Sequence, residues 1–396
     1  MTDEQNYFIQ ILSDHLNGRK SKACPGLDWD ALLCYANSHQ VGGIVYRQCA
    51  AFLPEKAKAA LSQRHAAELF YYANRVALFR KLCLALSEAN IPFFSVKGLE
   101  VAQFYPIPSL RTMGDCDIVV HPEDQERAHS LMVSLGFALK KKDTAEWVYL
   151  KNDIEIELHS HLLYDEVANT PDELAFFDTA WGHTRPTGEG MRHKLDWSFH
   201  FLFLLLHLKK HLIQSGVGFR QFMDLTVALR GCVLDWPWLE RSLDALGLGS
   251  FACVCLALLR RWFDLEVPVT VPEITEEFYQ EASEKIFAGG VFGYGEEENR
   301  SNAAMRSINN GKRNLSARLR YLCGVCFLPY DALRVVPEYA FLDGRPWLLP
   351  AAWVYRVLYK LNRKRGASGL QQIKSAFVSE DKLEARQREL AKWGLL

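Results

Sequence analysis

Two carboxylates one residue apart, Asp115 and Asp117, stand at the head of the apolar run Ile118-Val119-Val120. On a strand the side-chain period is two, so both project from one face, one pleat apart. Side by side they repel, and a divalent cation such as Mg²⁺ is the usual counter-charge. Two-metal phosphoryl and nucleotidyl transfer needs such a pair plus a third carboxylate from a neighbouring strand. Ile154-Glu155-Ile156-Glu157-Leu158-His159 offers that ligand, with its aliphatic residues on one face and its acids on the other. Glu157 is the choice here and Glu155 the alternative. Asp28-Trp29-Asp30 has the same spacing in a different setting. It opens a helical stretch, where capping accounts for it. An edge strand with solvated acids is the non-catalytic reading of Asp115 and Asp117.

The elements that must position these acids follow from hydrophobic periodicity. Residues 1 to about 88 read as helices: Phe8, Ile9, Leu12 and Leu16 recur at helical spacing, as do Leu69, Phe70, Ala73, Val76, Phe79, Leu82 and Leu86. Ile91 to Val96 is short and rich in aromatic and β-branched residues, and it ends at Lys97-Gly98, a buried strand and turn. Leu99 to Tyr105 predicts a short helix closed by Pro106 and Pro108, Met113 to His121 a strand, and Pro122 to Leu135 a helix stopped at Gly136. Trp147 to Leu150 and Ile154 to His159 flank Lys151-Asn152-Asp153, a hairpin signature. From about Asp196 the pattern is helical again. The expected organisation is a helical region over 1–88, an α/β core over 89–190, a helical extension over 191–265, a loop over 266–300 and a helical region over 301–396.

At this point the chain resembles a known family. Lys97-Gly98, then Arg111-x-x-Gly114-Asp115-Cys116-Asp117-Ile118, then Glu155-Ile156-Glu157-Leu158-His159 is similar to the nucleotidyltransferases of the DNA-polymerase-β superfold, and closest to the bacterial group known only as uncharacterised nucleotidyltransferases. The resemblance covers about residues 90–230. It implies an α+β fold, a mixed-sheet palm between N-terminal and C-terminal helical regions. It also implies Asp115, Asp117 and Glu157 as the catalytic metal triad, Gly98 in the turn facing the nucleotide phosphates, and Arg111 as a phosphate or acceptor contact. Lys97-Gly98 replaces the Gly-Ser turn of the wider superfamily, and Lys97 takes the place of the missing hydroxyl as a phosphate ligand or else snorkels at a strand end.

His207-Leu208-Lys209-Lys210-His211 continues to Gly216, Gly218, Arg220 and Asp224. His207 and His211 lie one helical turn apart, but no Glu adjoins the first His and no third ligand is evident, so zinc is set aside. The expectation is a helical lid in which Lys210, His211 and Arg220 face the triphosphate and Asp224 orients a basic partner; an ordinary packed helix with a polar edge is the alternative. Cys323-x-x-Cys326 reads as core, and the basic Tyr355–Arg365 stretch as a solvated helix end. The glycine-rich GGVFGYGEEE lacks the Lys and Ser or Thr of a phosphate-cradling loop.

Composition narrows the rest. Of 396 residues 49% are hydrophobic and 23% charged, an ordinary globular mix, and a net charge of -1 supplies no basic excess for dedicated nucleic-acid binding. The polar N-terminus MTDEQNYFIQ does not read as a secretory leader, and the longest apolar stretch is too short and too polar to span a bilayer. Ten cysteines read as reduced thiols of a cytoplasmic protein. The functional expectation is a Mg²⁺-dependent transferase, with Mn²⁺ as the second candidate, moving NMP from an NTP, with ATP the expected donor. The acceptor is a hydroxyl or phosphate on a protein, peptide, small molecule or RNA end. A catalytically silent nucleotide- or partner-binding protein on the same scaffold is the alternative, and a metal phosphohydrolase a third option.

Overall fold

A computed structural model describes residues 1–142, 146–164, 170–214, 216–291, 293, 327–334, 337–361 and 380–395. The chain forms two compact units, one of residues 1–212 with 216–293, the other mainly of residues from 294 onward.

The first unit opens with four helices, α1 (Asp3–Leu16), α2 (Trp29–Ser38), α3 (Gly42–Cys49) and the long α4 (Glu55–Glu88). Thr2 and Gln5 close a capping box on α1. Asp28 caps α2 by accepting from the Asp30 and Ala31 amides, while Asp30 pairs with Lys56, so this acid pair is structural as expected. The chain then alternates: β1 (Phe93–Val96), α5 (Gly98–Ala102), β2 (Asp115–Val120), α6 (Gln125–Ser134), β3 (Ala138–Lys142), β4 (Trp147–Lys151), β5 (Ile154–His159) and α7 (Pro171–Phe177). A small hairpin, β6 (Thr184–Pro186) with β7 (His193–Leu195), leads into α8 (Trp197–Gln214), α9 (Phe219–Gly231), α10 (Trp236–Ala245), α11 (Gly249–Phe263) and α12 (Glu276–Gly289).

The five-stranded sheet has the order β1-β2-β5-β4-β3, with β2 and β5 parallel and the other pairs antiparallel. Alternation makes its two faces chemically opposite. On β5, Ile154, Ile156 and Leu158 are buried while Glu155, Glu157 and His159 remain partly accessible. The apolar side chains join Cys116, Ile118 and Val120 of β2 in a core completed by Leu78, Phe79, Leu82 and Leu86 of α4 and Ala128 and Met132 of α6. Burying that face anchors the sheet, at roughly 25 cal/mol per Å² of apolar surface removed from water, and leaves the acidic face for chemistry. The fully exposed edge strand β3 carries Lys140, Lys141 and Lys142, charges that discourage edge-to-edge pairing.

The expected loop over 266–300 is corrected in part: α12 occupies its middle. Thr275 caps this helix at the Phe278 amide, and Phe287 packs against Phe8, Tyr35 and Phe219. Flanking prolines and glycines hide its helical period in the sequence. Cys323-x-x-Cys326, the end of the glycine-rich stretch and most of the basic segment after Leu361 lie outside the described residues. The eight cysteines among the described residues are free. In the second unit, Leu333, Tyr339, Leu342 and Ala352 form a small core beside which the Trp353 indole donates to the Leu328 carbonyl at 2.7 Å. No helix among the described residues is long and apolar enough to cross a membrane.

Candidate active site

The parallel pairing of β2 with β5 sets Asp115 beside Glu155 and Asp117 beside Glu157, with Val119 beside His159. Side chains two apart share a face. The register therefore lays Asp115, Asp117, Glu155, Glu157 and His159 on one patch. That patch lines a cavity of about 650 Å³, which is also lined by Lys97, Gly98, Arg111, Lys210, His211 and Arg220. Every site residue expected from the sequence thus reaches one cavity.

Asp117 is its most constrained member, with a side chain only 2% exposed. Its Oδ1 lies 2.7 Å from Lys97 Nζ and 3.3 Å from His159 Nε2, and His159 Nε2 is also 3.3 Å from Glu157 Oε2. Its Oδ2 is buried with no hydrogen-bond partner among the described residues. Burial would raise the Asp117 pKa, but Lys97 and His159 outweigh it and hold the carboxyl well below its usual range. Burial likewise opposes charge on Lys97 and on His159, yet the facing carboxylates win in both. Lys97 is lifted above its ordinary value and His159 to about 9. Desolvation, followed by neighbouring carboxylates, raises Glu157 and Glu155. Acids that crowd and rise in this way are what a cation relieves.

The turn after β1 is conformationally unusual. Lys97 has φ +53° and ψ −132°, a region that side chains rarely enter, and Gly98 follows at φ +24°. The Lys97 amide donates to His200 Nε2 at 2.9 Å, which ties the turn to α8. Holding a non-glycine residue there costs of order 1–3 kcal/mol. In this conformation the Lys97 ammonium sits on Asp117.

A second cluster comes from the segments flanking the sheet. Arg111 donates through Nε and Nη2 to the two oxygens of Asp224, each at 2.8 Å, and the Tyr105 hydroxyl donates to the same carboxylate at 2.7 Å. Asp224 therefore has a basic partner, Arg111. Arg220 donates to the Thr112 carbonyl at 2.6 Å. Arg111 Nη1 and Arg220 Nε are buried without a hydrogen-bond partner among the described residues. Buried guanidinium nitrogens left unpaired on a cavity wall suit an anion.

Burial reduces the charge of two residues of this wall. His211 Nε2 lies 2.9 Å from His207 Nε2, and burial pushes the His211 pKa down to about 3, so it presents a neutral imidazole. Burial and the nearby Lys97 also lower the Lys210 pKa. His159 was not singled out as a site residue, although it continues the period-two series Glu155, Glu157 that was the available signal. Asp117, Glu157 and His159 offer ligand atoms within 4.8 Å of one another, a donor set that could hold a metal ion. Two carboxylates, one with a buried unpartnered oxygen, fit a divalent cation on their own chemistry.

The mixed five-stranded sheet carries converging acids on one face of an α+β unit, and Arg111 and Arg220 line the same cavity. The model of the family described as "Uncharacterised nucleotidyltransferase" matches residues 25–264, and the chain belongs to that family. A solved structure similar to this chain is that of the antibiotic-resistance factor ANT(2'')-Ia, at 14% identity and a TM-score of 0.32, covering 48% of this chain and 97% of that one. No curated protein matches the chain.

Proposed function

We propose that the protein transfers NMP from an NTP, with ATP as the donor, to a hydroxyl or phosphate acceptor, using Mg²⁺ or Mn²⁺ held by Asp115, Asp117 and Glu157. The observation that carries this reading is the β2–β5 register. It sets the two aspartates beside the two glutamates at the cavity whose lining also includes Arg111, Lys210 and Arg220. When bound, a divalent cation at these acids would lower the pKa of an acceptor hydroxyl and offset charge on the α-phosphate and the leaving pyrophosphate.

The chain's own residues do the positioning. Asp115 and Asp117, on adjacent pleats of a strand anchored in the core, keep their separation without cost at the moment of reaction. Asp224 holds the Arg111 fork so that Nη1 is directed away from the pair and free for a phosphate oxygen. Arg220, tied to the Thr112 carbonyl, offers Nε similarly. His200 holds the strained Lys97-Gly98 turn in place. The acceptor enters the same cavity, and its class is a protein, peptide, small molecule or RNA end.

The test is incubation with each α-labelled NTP and Mg²⁺ or Mn²⁺ in the presence of cell extract. Label transfer with pyrophosphate release is expected. Metal-dependent ATP binding by calorimetry, without transfer or pyrophosphate release, would establish the alternative of a silent nucleotide-binding protein. Phosphate release with no acceptor would establish a hydrolase.

A further inference from the structure

The contacts around His159 have an unusual length. Its Nε2 lies 3.3 Å from Asp117 Oδ1 and 3.3 Å from Glu157 Oε2, longer than a well-formed charged hydrogen bond to either. Hydrogen bonds between a charged nitrogen and a carboxylate run at ~2.7–2.9 Å. Ligand atoms placed ~2.0–2.2 Å from one cation lie roughly 3.0–3.5 Å apart along the edges of its coordination polyhedron. His159 Nε2 therefore stands from each carboxylate at the spacing of ligands about one cation, and the ligand atoms of all three residues lie within 4.8 Å of one another. Independently, the Asp117 side chain is only 2% exposed, and its Oδ2 has no hydrogen-bond partner among the described residues. The backbone accounts for the convergence. His159 is the third outward residue of β5 after Glu155 and Glu157, and the parallel register carries it alongside Val119, one pleat beyond the Asp117–Glu157 pair.

We infer that His159 is a nitrogen ligand of the metal, completing an Asp117–Glu157–His159 donor set that selects Mn²⁺ or a later first-row divalent ion over Mg²⁺. The physical basis is ligand softness. Mg²⁺ favours all-oxygen surroundings and keeps its waters, whereas imidazole binding strengthens along the first-row series from Mn²⁺ onward. The inference deepens the proposed function, on which its catalytic relevance rests, by naming which cation the site is built for.

The test uses the whole protein with metal alone and no nucleotide. Electron spin-echo modulation of bound Mn²⁺ is expected to show coupling to ¹⁴N, converted to the ¹⁵N pattern when the histidines are ¹⁵N-labelled. Competition is expected to give Mn²⁺ at least a tenfold advantage over Mg²⁺. His159→Asp, which restores an all-oxygen set, should abolish the nitrogen coupling and shrink that advantage severalfold. His159→Leu should weaken Mn²⁺ binding at least tenfold, the lower end of what loss of even an outer-shell partner costs. Bound Mn²⁺ without nitrogen coupling in the unmodified protein overturns the inference, whether or not either variant folds. Coupling that persists in His159→Asp also overturns it, by assigning the nitrogen to another histidine. Nitrogen-coupled Mn²⁺ in a protein that transfers no nucleotide would instead sink the proposed reaction and leave the ligand in place.

Discussion

Neutralising Asp115 and neutralising Asp117 should have the same effect on catalysis and unequal effects on stability. Asp117 is buried and its Oδ1 meets Lys97 Nζ at 2.7 Å. At an effective dielectric of ~20 that attraction is about 6 kcal/mol, partly cancelled by the cost of removing both charges from water. Asp117→Asn leaves the Lys97 ammonium, only 15% exposed, without its direct ion-pair partner. Breaking a buried pair by removing one partner costs ~3–5 kcal/mol, which for a unit of this size lowers the melting temperature by roughly 6–10 °C. Asp115 is half-buried, and its charge contributes to raising Glu155 and Glu157. Asp115→Asn removes one of four crowded carboxylates, so the metal-free protein should melt at the same temperature or slightly higher. Both variants should lose NTP-dependent pyrophosphate release by about 10³-fold or more, since each removes a ligand of the cation that offsets the developing charge. Calorimetric melting of the two proteins beside a pyrophosphate assay reads both effects. Full turnover by Asp117→Asn, or equal melting of the two variants, would refute the reasoning.

Other perturbations follow from the same geometry. Asp224→Ala strands the buried Arg111 guanidinium and the Tyr105 hydroxyl, and should cost ~3–5 kcal/mol in urea unfolding; an unchanged midpoint would show that the network contributes nothing. Lys97→Gly should be more stable than Lys97→Ala by about 1 kcal/mol, reversing the usual order of the two residues, because both lose the ion pair but only glycine tolerates φ +53°; thermal melts in the usual order would show that the turn is unstrained. Burial depresses His15 to about 4 and His39 and His200 to about 3. The unfolded chain therefore binds protons near pH 6.5 that the folded protein refuses, so stability falls as pH drops from 6.5 towards 4, by up to ~1.4 kcal/mol per unit for each histidine. In the metal-free protein His159, raised to about 9, acts in the other direction, its contribution complete below pH 6.5 and lost between 6.5 and 9. A melting temperature that stays level from pH 7 to pH 5 would contradict the first of these.

Much of the site was legible because period-two patterning states which side chains share a face. Asp115 and Asp117 on β2, and Glu155 and Glu157 on β5, were placed by alternation against apolar neighbours. Asp28 and Asp30 were assigned to capping because a helical period follows them. His159 escaped because one more alternation beyond an acidic pair does not distinguish a ligand from a strand end. The helix α12 escaped because prolines and glycines around it conceal where Ile286 and Phe287 are buried.

By itself the sequence determines local periodicity: which residues form helices and strands, which strand faces are dry, and which residue types can do chemistry. Tertiary structure alone decides which of those faces meet. The pairing of Asp117 with Glu157 joins strands that are not neighbours along the chain, and the Arg111–Asp224 fork spans 113 residues. No local preference encodes either contact. Both depend on burying the opposite face of the sheet on α4 and α6, since a one-residue slip of β2 against β5 would turn the acids into the core. Burial then sets the charges, leaving His211 neutral and Asp117 ionised beside Lys97, because desolvation and Coulomb attraction act only once the chain has brought these groups together.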